Sequence, residues 1–526
     1  MLSNIHKLKK HIKYTIITGL SIFSLFTLNL DNVHADNNNQ LNQQQIAQLV
    51  NGKSATQLAQ LIKEHKLTSQ QLIDYDYAQI QQKNGQLNAV INVNKKSAEQ
   101  QLKQLEKHGN HKAPFYGVPI LIKGIAQPFK GAPYTEGLTF EKGNTYKFTG
   151  PFVKRLQKMG FIVIGETNFP EQGLINITNS ILNGVAHNPW NLDHNTGGSS
   201  GGACASVADN IIPVATGNDA GGSLRIPASY CGTIGLKPSE GVIVGDPQDP
   251  SIVNFAETKN IHDSINLFNQ LTTTKGKQAQ LKVPKHLNKL TVAYSTTSPV
   301  GSKVSPDAVA AVNKAVSFLR SQGFKCVKVN APVNGKKLMM NYFEASALGG
   351  GNANKLARQK LHRNLKASDV TNHVVSPMTY ALYKASLKMP KDADQNFGQE
   401  VQTVTKQMNQ FHKKYPLYLT PTTAIAAPKN DNPAFLPKYV EQLKHIGTLN
   451  HTKQIKLIYR AWFHGLSQTP FTQLANLSGE PAISLPIYVN KDGLPLGVQF
   501  EASHGGDMIL LRLGLLFQNH NQFIFK

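Results

Sequence analysis

Apolar residues recur at helical spacing near the start of the chain. Between residues 55 and 106, Leu58, Leu61 and Ile62 fall on one face of a predicted helix. Ser69 stands directly before a second helical pattern, as an N-cap residue does. This part of the chain is therefore expected to be helical.

Short continuous apolar runs alternate with such helical patterns further along. Residues 117–125 predict a buried strand, and 211–214 predict another after a helix that begins near Ala203. An amphipathic helix over 306–322 is followed by a predicted strand over 325–329. Alternating strands and helices favour an α/β fold with a central sheet covered by helices on both faces.

The domain organisation follows from length and local composition. A chain of 526 residues can form one large domain or two to four ordinary ones. The polar, lysine-rich stretches 245–285 and 350–400 are interpreted as insertions on a single core. Residues 471–517 again show strand and helix patterns, so we expect them to belong to that core.

The first 35 residues differ from the rest. Four lysines among the first 13 residues precede an apolar run over 14–30, and Val33-His34-Ala35 offers small residues at the positions that a signal peptidase reads. This layout predicts a signal peptide over 1–35 and a mature chain over 36–526. The alternative is an uncleaved membrane anchor.

Charge and cysteine content narrow the functional classes. The formal net charge is +24, but the lysines are scattered and have no aromatic interleaving, so nucleic-acid binding is not indicated. For an exported protein this charge favours association with an anionic cell surface. The three cysteines, Cys204, Cys231 and Cys326, have no zinc-site spacing and are interpreted as buried thiols.

Three segments carry candidate chemistry. Lys123 lies inside the apolar run, where burial would favour its neutral, basic form. Ser199 lies in Gly-Gly-Ser-Ser-Gly-Gly, a loop that lets the backbone approach a ligand. Ser223 follows Gly221 and Gly222, whose N–H groups could hold an oxyanion.

Each segment alone has a plainer interpretation. The lysine could reach water from a strand end, the first loop could be a flexible linker, and the second an ordinary turn. The first loop lacks the Gly-Lys-Ser/Thr ending of a phosphate loop. Leu224 and Arg225 after Ser223 exclude the Gly-x-Ser-x-Gly motif of α/β-hydrolases.

Together the segments resemble the amidase-signature family over nearly all of residues 36–526. The matching blocks include Gly197-Gly-Ser-Ser-Gly-Gly202, Asp219-Ala-Gly-Gly-Ser-Leu-Arg-Ile-Pro-Ala228, Cys231-Gly-Thr-Ile-Gly-Leu-Lys-Pro238 and Leu477-Ser-Gly-Glu-Pro-Ala-Ile-Ser-Leu-Pro486. The resemblance implies one large amidase domain with a mixed central sheet. Its catalytic core would span about 115–240 and 471–517.

The resemblance also implies a Ser–Ser–Lys mechanism without a cofactor or metal. Ser223 would be the nucleophile, Ser199 a bridging serine after a cis peptide bond, and Lys123 the base. Backbone N–H groups would form the oxyanion hole, at Ala220, Gly221, Gly222 and Ser223. Other residues would support the site, namely Asp219, Arg225, Gly198 and Ser200.

The chain departs from the family pattern at three positions. Gly124, Glu166 and Thr196 stand where the family commonly has Asp, Lys and Pro. These departures concern the surroundings of the site. His187 and His194 lie near the serine loop, but the family uses no catalytic histidine, so we interpret them as loop or pocket-rim residues.

The predicted function is hydrolysis of a small-molecule or peptide carboxamide to a carboxylate and an amine, through an acyl-enzyme on Ser223. The enzyme would be secreted or associated with the cell wall, and not an integral membrane protein. Two alternatives stay open: a catalytically silent binding protein on the same fold, and an amidotransferase-type subunit.

The leader generates a direct prediction. Because the leader ends in a peptidase-type sequence, culture supernatant should contain a chain that begins at Asp36. Mass spectrometry of the secreted protein measures this terminus. Recovery of full-length protein from membranes alone would contradict cleavage and favour the anchor.

Overall fold

The computed structural model describes residues 41–245 and 252–526. The predicted signal peptide over 1–35 lies outside these residues. Internal contacts divide the chain into 1–48 and 49–526. In the first unit, the described residues 41–48 include the start of helix α1.

The helices are α1 Gln43–Val50, α2 Ala55–Lys63, α3 Ser69–Leu87, α4 Lys95–His108, α5 Pro151–Lys158, α6 Gly201–Ala208, α7 Arg225–Cys231, α8 Ile261–Leu271, α9 Thr274–Ala279, α10 Pro306–Ser321, α11 Gly335–Leu348, α12 Gly351–Leu361, α13 Ala367–Thr371, α14 Pro377–Ser386, α15 Ala393–Lys414, α16 Pro437–Lys444, α17 His451–Gln468, α18 Gln473–Leu477 and α19 Asp507–Asn519.

The strands are β1 Val90–Val93, β2 Pro119–Lys123, β3 Ile162–Thr167, β4 Asn179–Ser180, β5 Gly184–Val185, β6 His187–Asn188, β7 Asn191–Asn195, β8 Ala215–Asp219, β9 Ile234–Lys237, β10 Val253–Thr258, β11 Val292–Tyr294, β12 Cys326–Lys328, β13 Leu417–Pro421, β14 Ala482–Val489 and β15 Pro495–Ala502.

Eleven strands form one mixed sheet flanked by helices. Their order is β1-β3-β2-β8-β10-β9-β14-β15-β13-β11-β12. β2 runs parallel to both β3 and β8, whereas neighbours from β8 to β13 pair antiparallel. This arrangement confirms the predicted α/β class with a mixed central sheet. Because β2 and β8 are parallel, their carboxyl ends lie side by side at the same end of the sheet.

Local sequence signals explain where several helices begin. Ser54 accepts a hydrogen bond from Gln57 N at 3.3 Å, and Gln57 Oε1 accepts one from Ser54 N at 2.9 Å, which forms a capping box before α2. Thr68 caps α3 in the same way. Ser305 caps α10, in which Pro306 occupies the first turn. The predicted helices over 55–106 and 306–322 are therefore confirmed, with β1 interrupting the first set.

The predicted strand over 211–214 is wrong. Ile211 N donates instead to Ser206 O at 2.9 Å, at the end of α6. Pro213 has no N–H to donate to a neighbouring strand, so β8 begins at Ala215. The apolar signal came from burial of Ile211 and Ile212 in the core, not from strand pairing.

The interpretation of 245–285 as an insertion is also wrong. This range contains β10, which lies between β8 and β9 in the middle of the sheet. All six residues of β10 are buried. Its polar side chains have buried partners: Asn254 Oδ1 accepts from Gln127, and Glu257 Oε2 accepts from Thr233. This central strand was therefore missed because its segment of the sequence is rich in polar residues.

A second apolar core lies among the helices of the 335–468 region. It includes Phe343 of α11 and Trp462 of α17, whose rings stack with centroids 4.5 Å apart. Within residues 41–245 and 252–526, no helix combines the length and apolar character that a membrane span requires.

Candidate active site

Lys123 is the last residue of β2 and lies at the end of the sheet where the parallel strand β8 also ends. Its side chain is fully buried. Nζ lies 2.7 Å from Ser199 Oγ and 2.8 Å from Asn218 Oδ1. Burial lowers the pKa of Lys123 to about 7, against the opposing influence of Asp219, Cys204 and Glu257. At neutral pH a substantial fraction of this amine is therefore uncharged and able to accept a proton.

Ser199 lies in a glycine loop that leads into α6. The peptide bond between Gly198 and Ser199 is cis, as the resemblance implied. A Cβ on Gly198 would lie 2.7 Å from the carbonyl carbon of Ile177, so only glycine fits there. A Cβ on Gly173 would lie 3.5 Å from Ser199 Oγ, and Gly173 lines a cavity described below. Ser199 Oγ therefore contacts Lys123 and also lies close to Gly173, a lining residue of that cavity.

The loop after β8 carries Ser223. Asp219 organises it, since Oδ1 accepts from Gly222 N at 2.7 Å and Oδ2 from Leu224 N at 3.2 Å. Gly222 has φ +123°, a conformation that favours glycine. Its N–H is thus engaged by the carboxylate. Among the described residues no acceptor binds the N–H groups of Ala220, Gly221 or Ser223, which leaves these three for an oxyanion.

The backbone of Ser223 is linked to that of Ser200, the residue after Ser199. Ser200 N donates to Ser223 O at 3.2 Å. The Ser200 hydroxyl lies 3.3 Å from Asn218 O, which fixes this serine loop to β8. Within the described part of the chain the Ser223 hydroxyl has no hydrogen-bond partner, and Ser223 lines the cavity described below.

A buried ion pair anchors the 220–223 loop that carries Ser223. Arg225 Nε lies 3.0 Å from Asp219 Oδ2, and both side chains are fully buried. Burial opposes ionisation of Asp219, but the Arg225 guanidinium holds the pKa of that carboxyl well below its usual range. Arg225 also donates to the C-terminal part of the chain, namely to Thr472 O, Gln499 Oε1 and Asn476 Oδ1, each at 2.7 Å.

A cavity of about 180 Å³ opens over Ser223. Its walls are mainly apolar and come in large part from α11, α17 and the segment after Gln172. The apolar lining includes Leu174, Ile175, Met339, Phe343, Trp462 and Leu466. No Asp, Glu, Lys or Arg side chain lines it in the described residues, and burial lowers the pKa of the lining His464. The cavity therefore suits a small, uncharged ligand.

Comparison with known proteins places this geometry in a family. A family model described as Amidase matches residues 71–511. The chain belongs to the amidase family. A lipoamidase of Enterococcus faecalis is 43% identical to this amidase-family chain over 472 residues, which cover 89% of the chain and 63% of the lipoamidase. The 6-aminohexanoate-cyclic-dimer hydrolase of Paenarthrobacter ureafaciens is 29% identical over 486 residues, covering 88% and 93%.

Solved structures of amidase-family proteins share the fold. A 6-aminohexanoate cyclic dimer hydrolase in complex with substrate superposes with a TM-score of 0.77 at 25% identity, covering 89% of this chain and 96% of the other. A bacterial aryl acylamidase has a TM-score of 0.75 at 22% identity and 90% and 96% coverage, which supports the fold alone.

The departures from the amidase pattern occupy tightly packed positions. A Cβ on Gly124 would lie 2.6 Å from Phe169 Cε1, so an aspartate there would require the ring to move. Glu166 is buried, which raises its pKa to about 8, and Asn92 Nδ2 lies 3.3 Å from its carboxylate. Thr196 is buried beside Gly201. Nothing in the structure gives these residues a chemical role.

The two histidines near the serine loop do not line the cavity. His187 Nδ1 lies 2.8 Å from Leu192 O, and its ring contacts Asn430. His194 forms an isolated bridge with Lys429. His187 belongs to β6 and His194 to β7, two strands that pair with each other, so the interpretation of these histidines as loop or pocket-rim residues is wrong.

Sequence reasoning missed two residues that contact the site. Asn218 directly precedes the matched block that begins at Asp219. Its position next to Lys123 could therefore have been predicted from the sequence. Tyr342 of α11 donates its hydroxyl to Ala220 O at 3.1 Å. It comes from a helix more than 100 positions away that carries no matched motif, so no sequence signal identified it.

The buried ion pair generates a prediction of stability. Arg225→Met leaves the Asp219 carboxylate buried without its partner, which should lower the free energy of unfolding by about 3–5 kcal/mol. Lys337→Met is the matched control, because it breaks the more exposed Lys337–Glu400 pair and should cost less than about 1 kcal/mol. Denaturant unfolding measures both. Equal losses would contradict the anchoring role of Arg225.

Proposed function

We propose that the chain is an exported amidase that hydrolyses the carboxamide of an uncharged, apolar acyl group through an acyl-enzyme on Ser223. The observation that carries the proposal is the 2.7 Å contact between Lys123 Nζ and Ser199 Oγ. Ser223, which is linked to the neighbouring Ser200 through the backbone, lines a cavity. Membership of the amidase family supports the reaction class.

The proton path begins at the uncharged Lys123 amine. Lys123 accepts the Ser199 proton while Ser199 accepts the Ser223 proton, so Ser223 Oγ can attack the carbonyl carbon. The carbonyl π electrons move to oxygen, where the backbone N–H groups of Ala220, Gly221 and Ser223 stabilise the negative charge, since that of Gly222 is bound to Asp219. The relay requires the two serine hydroxyls to approach each other in the substrate complex, and catalytic hydrogen bonds commonly tighten there.

Collapse of the tetrahedral intermediate breaks the C–N bond. The proton held by Lys123 returns through Ser199 to the leaving nitrogen, so the amine departs uncharged. Water then attacks the acyl-enzyme with the same relay as base, and Ser223 is released together with the carboxylic acid. Every proton taken from a nucleophile is thereby returned to a leaving group.

The cavity supports a choice of acyl group. Burying a carboxylate against Met339, Phe343 and Trp462 would cost free energy, because these walls supply no countercharge. The Enterococcus faecalis relative is named a lipoamidase. The lipoyl group is an uncharged chain with a dithiolane end, so an amide of lipoic acid matches the uncharged, mainly apolar lining of this cavity. We therefore propose lipoamide-type amides as substrates.

The proposed location rests on the leader and on charge. The basic, apolar and Ala-ending segment over 1–35 supports export. The net charge is +24 for the whole chain and +21 without the four lysines and one aspartate of 1–35, which supports retention at an anionic cell surface. Release from such a surface by salt would be the expected behaviour.

The first test concerns the three side chains. Ser223→Ala should abolish amide turnover and covalent labelling by a fluorophosphonate, because it removes the nucleophile. Ser199→Ala should retain slow turnover, with a loss on the order of 10²–10⁴-fold. Lys123→Ala should lose several powers of ten, because the three side chains act as a unit.

Ser264→Ala is the control for this test. Ser264 lies on α8, outside the cavity, and its buried hydroxyl lies 2.8 Å from Thr258 Oγ1. The substitution removes this hydroxyl. Full activity in Ser223→Ala would exclude the nucleophile. A wild-type protein without turnover or labelling would favour a silent binding protein, and glutamine-dependent amide transfer without free hydrolysis would favour an amidotransferase.

The second test concerns the acyl group. Octanamide and lipoamide should show kcat/KM values at least about tenfold above that of suberic acid monoamide, which has the same chain length as octanamide but ends in a carboxylate. Ammonia release measures each rate. Trp462→Ala should lower kcat/KM for octanamide more than for acetamide, whereas Phe148→Ala, which changes a ring 59% exposed, should alter neither. Preference for the anionic amide would contradict the proposal.

A further inference from the structure

We propose that Asn218 is a positioning residue for Lys123: its side-chain amide holds the lysine amine so that the nitrogen lone pair faces Ser199. This inference rests on the proposed function, in which Lys123 is the base. It adds a residue outside the Ser–Ser–Lys set and assigns the orientation of the amine.

The hydrogen bonds of Asn218 determine which end of its amide faces Lys123. Nδ2 donates to Ile125 O at 3.1 Å, and a carbonyl oxygen can only accept. Oδ1 therefore faces Lys123 Nζ at 2.8 Å. The Asn218 backbone contacts Ser200 Oγ through both N and O, at 3.4 and 3.3 Å. Asn218 thus connects Lys123 to the serine loop.

An amide oxygen restricts the hydrogen bonds of the amine. Oδ1 carries no hydrogen, so it can only accept an N–H from Lys123 and cannot compete for the lone pair. Ser199 Oγ, 2.7 Å away, is the neighbour that carries a transferable hydrogen. Occupation of one N–H by Asn218 turns the lone pair toward the Ser199 hydroxyl, which is the orientation that proton transfer requires.

The backbone of Lys123 is fixed by a second buried amide. Gln127 Oε1 accepts from Lys123 N at 2.9 Å and from Thr216 Oγ1 at 2.6 Å. Its Nε2 donates to Gly217 O at 2.9 Å and to Asn254 Oδ1 at 3.0 Å. Every hydrogen-bonding direction of Gln127 is used between β2, β8 and β10. The remaining freedom of Lys123 lies in its side chain, whose end Asn218 holds.

The uncharged character of Asn218 matters because of the other groups that face the amine. These are Asp219 on β8, Cys204 on α6 and Glu257 on β10. Burial raises the pKa of Cys204 and raises that of Glu257 to about 8, so both are largely uncharged near neutral pH. Asp219 is ionised, but its charge is bound to Arg225. A neutral amide at position 218 therefore adds no charge that would hold Lys123 protonated.

The experiment places a charge at this position without changing its size. Asn218→Asp sets a carboxylate against the amine, which should shift the acid limb of kcat/KM upward by about 1–3 pH units and restore activity at alkaline pH. In the wild type this limb should lie near pH 7, where activity rises as Lys123 loses its proton. The pH profile of Ser223 phosphonylation gives a second readout that does not depend on turnover.

Asn254→Asp is the matched control. It also introduces a carboxylate at a buried asparagine of the same network, but Asn254 contacts Gln127 rather than the lysine amine. Its acid limb should move less than that of Asn218→Asp. Equal shifts would mean that any nearby charge acts alike, which would overturn a specific role for Asn218.

Two further variants keep the test decisive if Asn218→Asp does not fold. Asn218→Ser retains an uncharged acceptor and Asn218→Leu removes it, so the serine variant should have a plateau rate at least about tenfold higher. Equal plateau rates would overturn the proposal. An unmoved limb in folded Asn218→Asp would overturn it as well. If the wild-type limb persists in Lys123→Ala, the base role itself fails, and the Asn218 proposal fails with it.

Discussion

The buried pair of Asp219 and Arg225 is the interaction on which the rest of the site depends. Neither charge has access to water, so each requires the other, together with a set of neutral partners. Asp219 shapes the loop that carries Ser223. Arg225 extends the same network to Thr472 and Gln499, more than 240 positions away in sequence. The loop that carries Ser223 and the C-terminal part of the chain are therefore joined by one network of charges and hydrogen bonds.

Burial has opposite effects on acids and bases in this sheet, and both effects serve the same chemistry. It lowers the pKa of Lys123 and raises that of Glu257, so the lysine and its acidic neighbour are both driven toward their neutral forms. Asp219 stays charged because Arg225 compensates it. The site thus keeps a largely neutral lysine near one fully paired ion pair.

The sequence predicted correctly those helices and strands in which the hydrophobic periodicity agrees with the burial of the side chains. The apolar run of β2 and the helix α10 fall where predicted, since one periodicity dominates each. Residues 211–214 were wrongly predicted as a strand because their apolar side chains are buried although the backbone does not pair with a strand. Strand β10 was missed because a central strand with both faces covered can carry polar residues that bond to buried partners. Positions of Lys123 and Ser199 followed from matched blocks. The cavity walls did not, because Tyr342 and Trp462 come from distant helices and meet only in the folded chain.

The cavity has a consequence for selective inhibition. Its floor, at Ser223, lies beside strands that carry the matched family blocks, whereas Met339, Phe343 and Trp462 come from the helical region. A reactive electrophile aimed at the serine would recognise a feature that relatives have in common. Discrimination between relatives must then come from the tail of the compound, where it packs against α11 and α17. Chemical probes for this protein should accordingly vary in the length and shape of an uncharged tail and keep the reactive head constant.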